Sequence, residues 1–298
     1  MERKLKTEKI YRILIKPDQE IEDEADERIL QSLNEFDHSG NMTMEITYNA
    51  DESINEKNEY HYDDSGRVIR SVIYSEDNEA LETRKYYYDD AGKTLKEEVL
   101  YMDGSVDTID YHYEDDLLKK KILSTDDGEI EGKEIYQYEE DRMTLYEKYE
   151  DDNRLVHQVK NVYKDGVIQE SRTWESVNDM TSRQIIYFNE HGRRKEELRY
   201  DHNERLTGRH QFEEDDQGRI LKVMEESTRG KYSTEYSYDQ QGRQFTKTET
   251  DMNGQMVSKI ERSYNDEGRL KSGEISYRDR MTGTIQKYRI IYEYDYYD

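Results

Sequence analysis

Polar and apolar positions alternate along most of this chain in short runs, such as Arg67-Val68-Ile69-Arg70-Ser71-Val72-Ile73-Tyr74 and Leu81-Glu82-Thr83-Arg84-Lys85-Tyr86-Tyr87-Tyr88. Both runs are rich in β-branched and aromatic residues at strand length, so they predict β-strands. Two kinds of turn separate them. One follows an aromatic pair and ends in glycine and a basic residue, as in Tyr60-His61-Tyr62-Asp63-Asp64-Ser65-Gly66-Arg67. The other is an Asp/Asn/Gly cluster such as Ser75-Glu76-Asp77-Asn78 or Met102-Asp103-Gly104. Gly reaches positive φ without a clash, and Asp or Asn side chains bond to nearby backbone, so both patterns reverse the chain. Two strands and two turns make one unit.

The unit recurs about every 25 residues, a period that marks an array of supersecondary elements. With the second aromatic of each copy as anchor, the register runs through Phe36, Tyr62, Tyr88, Tyr113, Tyr138, Tyr163, Phe188, Glu214, Tyr238, Tyr264 and Tyr294. Glycine stands four residues after seven of these, at positions 40, 66, 92, 192, 218, 242 and 268. The middle copies are eroded: Glu114-Asp115-Asp116-Leu117 and Glu139-Glu140-Asp141-Arg142 lack the glycine, and Gly166 comes one place early. The expected fold is all-β, an elongated, twisted antiparallel hairpin array of about ten units with two strands each. At about 4.8 Å per strand, some twenty strands would extend roughly 95 Å before twist. Residues 1–30 read as an N-terminal capping strand (Ile10 to Lys16) with an acidic loop (Gln19 to Asp26), and residues 31–298 as the array, capped at its far end by the tail Tyr292 to Asp298.

Composition refines this picture. Only 32% of residues are hydrophobic and the net charge is −26, a balance that usually accompanies disorder. However, 28 of the 298 residues are tyrosine and one is proline. Tyrosine offers a large apolar face with a wet hydroxyl, so cross-strand tyrosines can hold a thin sheet, and central strands exclude proline. There is no cysteine, hence no disulfide framework or thiolate metal site. The apolar stretch at Ile10 to Ile15 is too short and too charged for a signal peptide or helical span, so the expected location is the cytoplasm.

The motif Tyr-x-Tyr-Asp-x-x-Gly-Arg-Val/Leu, at Tyr60 to Val68 and nearly so at Arg262 to Leu270, resembles the YD repeat of the Rhs and Tc-toxin families from about residue 30 onward. That resemblance implies β-hairpins coiling into a strip. The large members close such strips into a shell around a toxin domain; the resemblance implies the strip alone here. A weaker similarity to variant MORN repeats implies the same architecture.

Candidate chemistry is sparse. None of the seven histidines pairs with another at ligand spacing, and His61 and His112, flanked by repeat tyrosines, fall on the opposite face by alternation. With 71 Asp and Glu, adjacent carboxylates such as Asp63-Asp64 are explained by their turns. Asp251-Met252-Asn253-Gly254 and Asp126-Asp127-Gly128 lack the alternating ligands of a calcium loop. No phosphate-binding or nucleophile motif occurs, so no catalytic, cofactor or metal residue is expected and the protein reads as a non-enzyme. An enzyme reading would place its pocket in the eroded units between Tyr113 and Tyr163. Arg67, Lys93, Arg193, Arg219, Arg243 and Arg269 follow the repeat glycines and predict a ladder of solvated ion pairs with the turn aspartates. A basic ridge is opposed by the interleaved acids, which repel nucleic acid.

Repetition without catalytic clustering points to a scaffold that binds a basic-surfaced protein, with neither nucleic acid nor membrane as partner. The contact residues expected are Tyr60, Tyr62, Tyr86, Tyr88, Tyr111, Tyr113, Tyr136, Tyr138 and Trp174, because tyrosine and tryptophan are rigid anchors at interfaces. Trp174 takes the place held elsewhere by Tyr74, Tyr149, Tyr200 and Tyr277, where a packing role also accounts for it. The alternative is an acidic decoy, either a nucleic-acid mimic or a toxin-neutralising immunity protein.

Overall fold

The computed structural model describes residues 3–15, 28–150, 153–178, 180–279 and 281–298; the acidic stretch Gln19 to Asp26 lies outside them. The described chain forms a single antiparallel sheet of 22 strands, from β1 (Leu5–Ile15) and β2 (Ile29–Phe36) to β22 (Ile285–Tyr296). Each strand pairs with the next along the chain. The last also pairs with the first, from Leu5 opposite Tyr296 to Ile15 opposite Lys287.

The elongated array is therefore corrected to a closed barrel of eleven hairpins. Of the two segments expected to cap opposite ends, Ile10 to Ile15 and Tyr292 to Tyr296 pair in the seam instead, while Lys16 lies outside the described residues. Across it Thr7 Oγ1 donates to Asp295 Oδ2 at 2.8 Å, Tyr297 N–H donates to Lys4 O at 2.9 Å, and Ile13 is 2% exposed. Bulges supply the physical reason. Ten anchors, Phe36 through Tyr264, each mark a register shift in their hairpin. Further shifts lie at the opposite ends of strands, for example at Tyr48, Tyr74, Tyr149 and Tyr200. Each bulge adds twist and bend. Accumulated over 22 strands, that curvature brings the ends together, and pairing them removes both open edges.

The turns form as their residues dictate. In the β4 (Ile54–Tyr62) to β5 (Val68–Tyr74) hairpin, Gly66 N–H donates to Asp63 O and Asp63 N–H to Arg67 O, both at 2.9 Å, with Gly66 at φ 78°. Asp63 Oδ1 accepts from the Ser65 and Arg67 N–H groups at 2.9 and 3.0 Å. The eroded units keep the hairpin by a tighter route. Between β8 (Val106–Glu114) and β9 (Leu117–Ser124) only Asp115 and Asp116 intervene, both at positive φ, 48° and 66°, as a two-residue turn of the I′ kind requires.

The barrel is a wall without a filled interior. Its accessible surface is 19408 Å², whereas a compact monomer of 36.0 kDa exposes about 13,300 Å². Roughly 40–45 Å of backbone diameter follows from strand spacing and ordinary barrel tilt. Buried apolar side chains such as Val72 and Val99 are few and scattered. Closure has a direct test. The pair Thr7→Cys and Asp295→Cys, opposed in the seam, should oxidise to an intramolecular disulfide in this cysteine-free chain, read as a mobility shift on non-reducing gels. An open strip would leave both thiols free.

Candidate functional site

The repeat motif builds one recurring structure, a rung at the glycine-turn mouth of the barrel. In β6 (Ala80–Tyr88) the anchor Tyr88 donates its hydroxyl to Val68 O of the preceding hairpin at 2.6 Å. The same latch joins Tyr62 to Met42 O, Tyr238 to Ile220 O, Tyr264 to Gln244 O and Tyr294 to Leu270 O, at 2.6 to 2.8 Å. At the seam Tyr297 donates to Phe36 O at 2.5 Å, and its ring stacks on His38 at 3.8 Å.

The basic residue after each glycine completes the rung. Arg67 Nε donates to Asp63 Oδ2 at 2.7 Å, while its guanidinium lies 4.8 Å from the Tyr88 ring centre of the next unit. Arg219 over Tyr238 (4.9 Å) and Arg243 over Tyr264 (4.4 Å) repeat this, each also held by its own turn aspartate. The ion-pair ladder expected from the sequence is thus present for these turns, with a forward reach onto tyrosine that the sequence reading did not foresee. The glycine has a second job as well. A Cβ at Gly218 would lie 2.2 Å from the Arg193 guanidinium carbon, because each arginine rests on the following turn. The partners change together: where the anchor is Glu214, Arg193 Nη1 lies 3.5 Å from its carboxylate, and where the anchor is Phe188, Val167 replaces the basic residue. A shared period of basic and aromatic positions was the available signal.

The tyrosines expected as contacts all lie on one face of the sheet, each half-buried: Tyr60 and Tyr62 in β4, Tyr86 and Tyr88 in β6, Tyr111 and Tyr113 in β8, Tyr136 and Tyr138 in β10 (Ile130–Glu139). Trp174, also half-buried, faces the other side, registered with Gln158 and Arg183. Tyr111 and Tyr136 donate to Glu97 and Glu134, and burial together with those carboxylates pushes both hydroxyls up from their ordinary value. Tyr146 is pushed up to about 12 by burial and by Glu134. Glu97 and Glu197 are the two most buried carboxylates, Glu197 held low, despite burial, by Gln184 and Arg199 at 2.7 Å each. No group of three or more His, Cys, Asp or Glu side chains suited to a metal ion occurs among the described residues.

Charge is divided by position. Among the described residues the strands hold 31 acidic and 32 basic side chains, and the connections and chain ends hold 29 and 11. Within a glycine turn the two acids differ. The first, such as Asp63, is consumed by the turn, and the Arg67 N–H and guanidinium hold it below the ordinary Asp value. The second, at Asp64, Asp90, Asp216 and Asp266, is exposed and outside the hydrogen bonds and ion pairs of the described residues.

Neither a family model nor a curated protein matches the sequence. Among solved structures, TcdB2-TccC3 without its hypervariable C-terminal region is similar at 14% identity and TM-score 0.31, over 82% of this chain and 15% of that one. A porin-like protein from Bacteroides uniformis is similar at 10% identity and TM-score 0.34, over 98% of both chains. Another from Bacteroides vulgatus gives 11% and 0.29, over 80% of this chain and 94% of that one. This chain spans about a seventh of the toxin chain's length. The expectation of a cytoplasmic repeat strip is corrected here: it rested on the lack of a helical span, and although no helix among the described residues is long and apolar enough to cross a membrane, that says nothing of a sheet closed by β1 and β22.

Two outcomes test the rung. Tyr88→Phe removes one latch and should cost about 1 kcal/mol, measured by urea unfolding. The turn carboxylates should make the barrel acid-sensitive. Asp63 is held below its unfolded value of 3.8, so its contribution is complete above that value and lost as pH falls through the lower folded one. Asp63→Asn should keep the turn, as Asn189 and Asn265 do natively, and flatten its share of the decline in urea midpoint below about pH 4.

Proposed function

We propose that the protein is a non-enzymatic binding barrel whose partner is a protein with a basic surface, and that its units are YD-type hairpins. The carrying observation is the placement of charge among the described residues: the strands are close to neutral, while the connections and chain ends hold 29 acids against 11 bases. Such a surplus at the mouths steers cations there and is screened by salt. The exposed second carboxylates of the glycine turns, with no structural duty, are the groups available to a partner. The half-buried tyrosines contribute through their ring faces, since several hydroxyls are already committed to the wall. An acidic decoy for nucleic-acid-binding proteins is supported less well. Carboxylates of successive glycine turns stand two strands apart, about 9.6 Å, wider than the phosphate spacing of a duplex.

The experiment compares two four-site variants for capture of a basic probe protein, lysozyme, at low and moderate salt. Asp64→Asn, Asp90→Asn, Asp216→Asn and Asp266→Asn together should abolish most capture. Neutralising four strand carboxylates, Glu56, Glu175, Glu235 and Glu261, should leave it largely intact. Equal losses in both would mean that bulk charge alone attracts the probe, and the mouth-directed reading would fall.

A further inference from the structure

The eroded central units contain a hollow of about 470 Å³, within the range of small-molecule sites. Its cause is local. On the tyrosine face the register runs Ile109, Leu123, Gly132 across β8, β9 and β10, so that a side chain is missing at the third place. Gly132 follows a bulge that skips Glu131, and a Cβ there would meet Tyr149 O of β11 (Arg142–Glu150) at 3.1 Å. The close approach of backbone favours glycine, and glycine leaves the gap. Ile109 and Leu123 form an apolar floor.

The charges around this floor are unequally engaged. Lys121 lies 3.5 Å from Glu134 and 5.0 Å from the Tyr111 ring centre. Lys133 donates to Asn153, and its ammonium lies 4.8 Å from the Tyr149 ring centre. Glu150 is bound by Arg154 at 2.7 Å. Lys148 and Glu131 remain, both exposed, lining the hollow and belonging to no ion pair among the described residues. One uncommitted cation and one uncommitted anion flank an apolar floor.

We infer that this hollow binds an amphipathic zwitterion, such as a short apolar peptide, with its carboxylate on Lys148, its amine on Glu131 and its apolar body over Ile109 and Leu123. The inference is independent of the protein-binding role of the mouths. Its test uses leucylphenylalanine as the probe, with its N-acetyl and C-terminal amide forms, titrated calorimetrically into the full chain. Saturable binding is expected for the free dipeptide, weaker by tenfold or more for either blocked form. Lys148→Ala should erase the preference for the free acid over the amide, and Glu131→Gln the preference for the free amine over the acetyl form. Both positions are exposed, so folding is retained, and circular dichroism checks it. Absence of saturable binding at millimolar probe, or binding indifferent to both substitutions and both blocking groups, would overturn the assignment.

Discussion

A sheet this thin has no interior in which to hide an unpaired strand, so the need to pair every backbone edge governs the molecule. In an open meander of 22 strands the first and last would each present a row of free N–H and C=O groups, with Ile10, Ile13 and Ile291 beside them. Pairing β1 with β22 over most of their length satisfies both rows at once. The same contact buries Ile13, one of the few apolar side chains in the protein that loses nearly all its exposure. Closure is therefore the fold's substitute for a core, and it makes end caps unnecessary, which repeat proteins ordinarily need.

With so little apolar burial, cohesion comes from contacts between neighbouring units. Each rung links two turns by three means: an aspartate–arginine pair, the arginine over the next tyrosine, and that tyrosine's hydroxyl on the earlier backbone. Singly these are modest, since exposed ion pairs and cation–π contacts contribute on the order of 1 kcal/mol or less. Complete rungs recur at Arg67, Arg219 and Arg243, and partial ones elsewhere add single contacts between neighbouring hairpins. The arginine's guanidinium also packs against the following turn glycine, whose necessity lies in its positive φ.

Much of this was legible from spacing alone. The anchors from Phe36 to Tyr264 fall at the bulges, and the turn residues behave as their chemistry dictates, because both are local properties of a few consecutive residues. The barrel was not legible. Whether a twisted strip closes depends on the summed curvature of all its bulges and on complementarity between segments at opposite ends of the chain, and the pairing of Thr7 with Asp295, 288 residues on, leaves no mark in a single sequence. The hollow at Gly132 was hidden for a related reason. It arises where a glycine, a bulge and a three-strand register coincide, although the erosion of those units did point to that part of the wall.

The distribution of charge follows from the same architecture. On a strand, like charges directly opposite one another destabilise the pair, and many acids in the wall are matched by bases across or along it, as with Arg209 and Glu196 or Lys121 and Glu134, although Arg70 opposes Lys85 and Glu261 opposes Glu274. The turns carry no such restriction, since their neighbours stand two strands away and face water. Among the described residues the acidic surplus therefore accumulates where the sheet stops, at the mouths. Half of each acidic pair in the glycine turns is spent on folding the turn, and the other half is not, which is why Asp64 and Asp63, adjacent in sequence, can serve different ends.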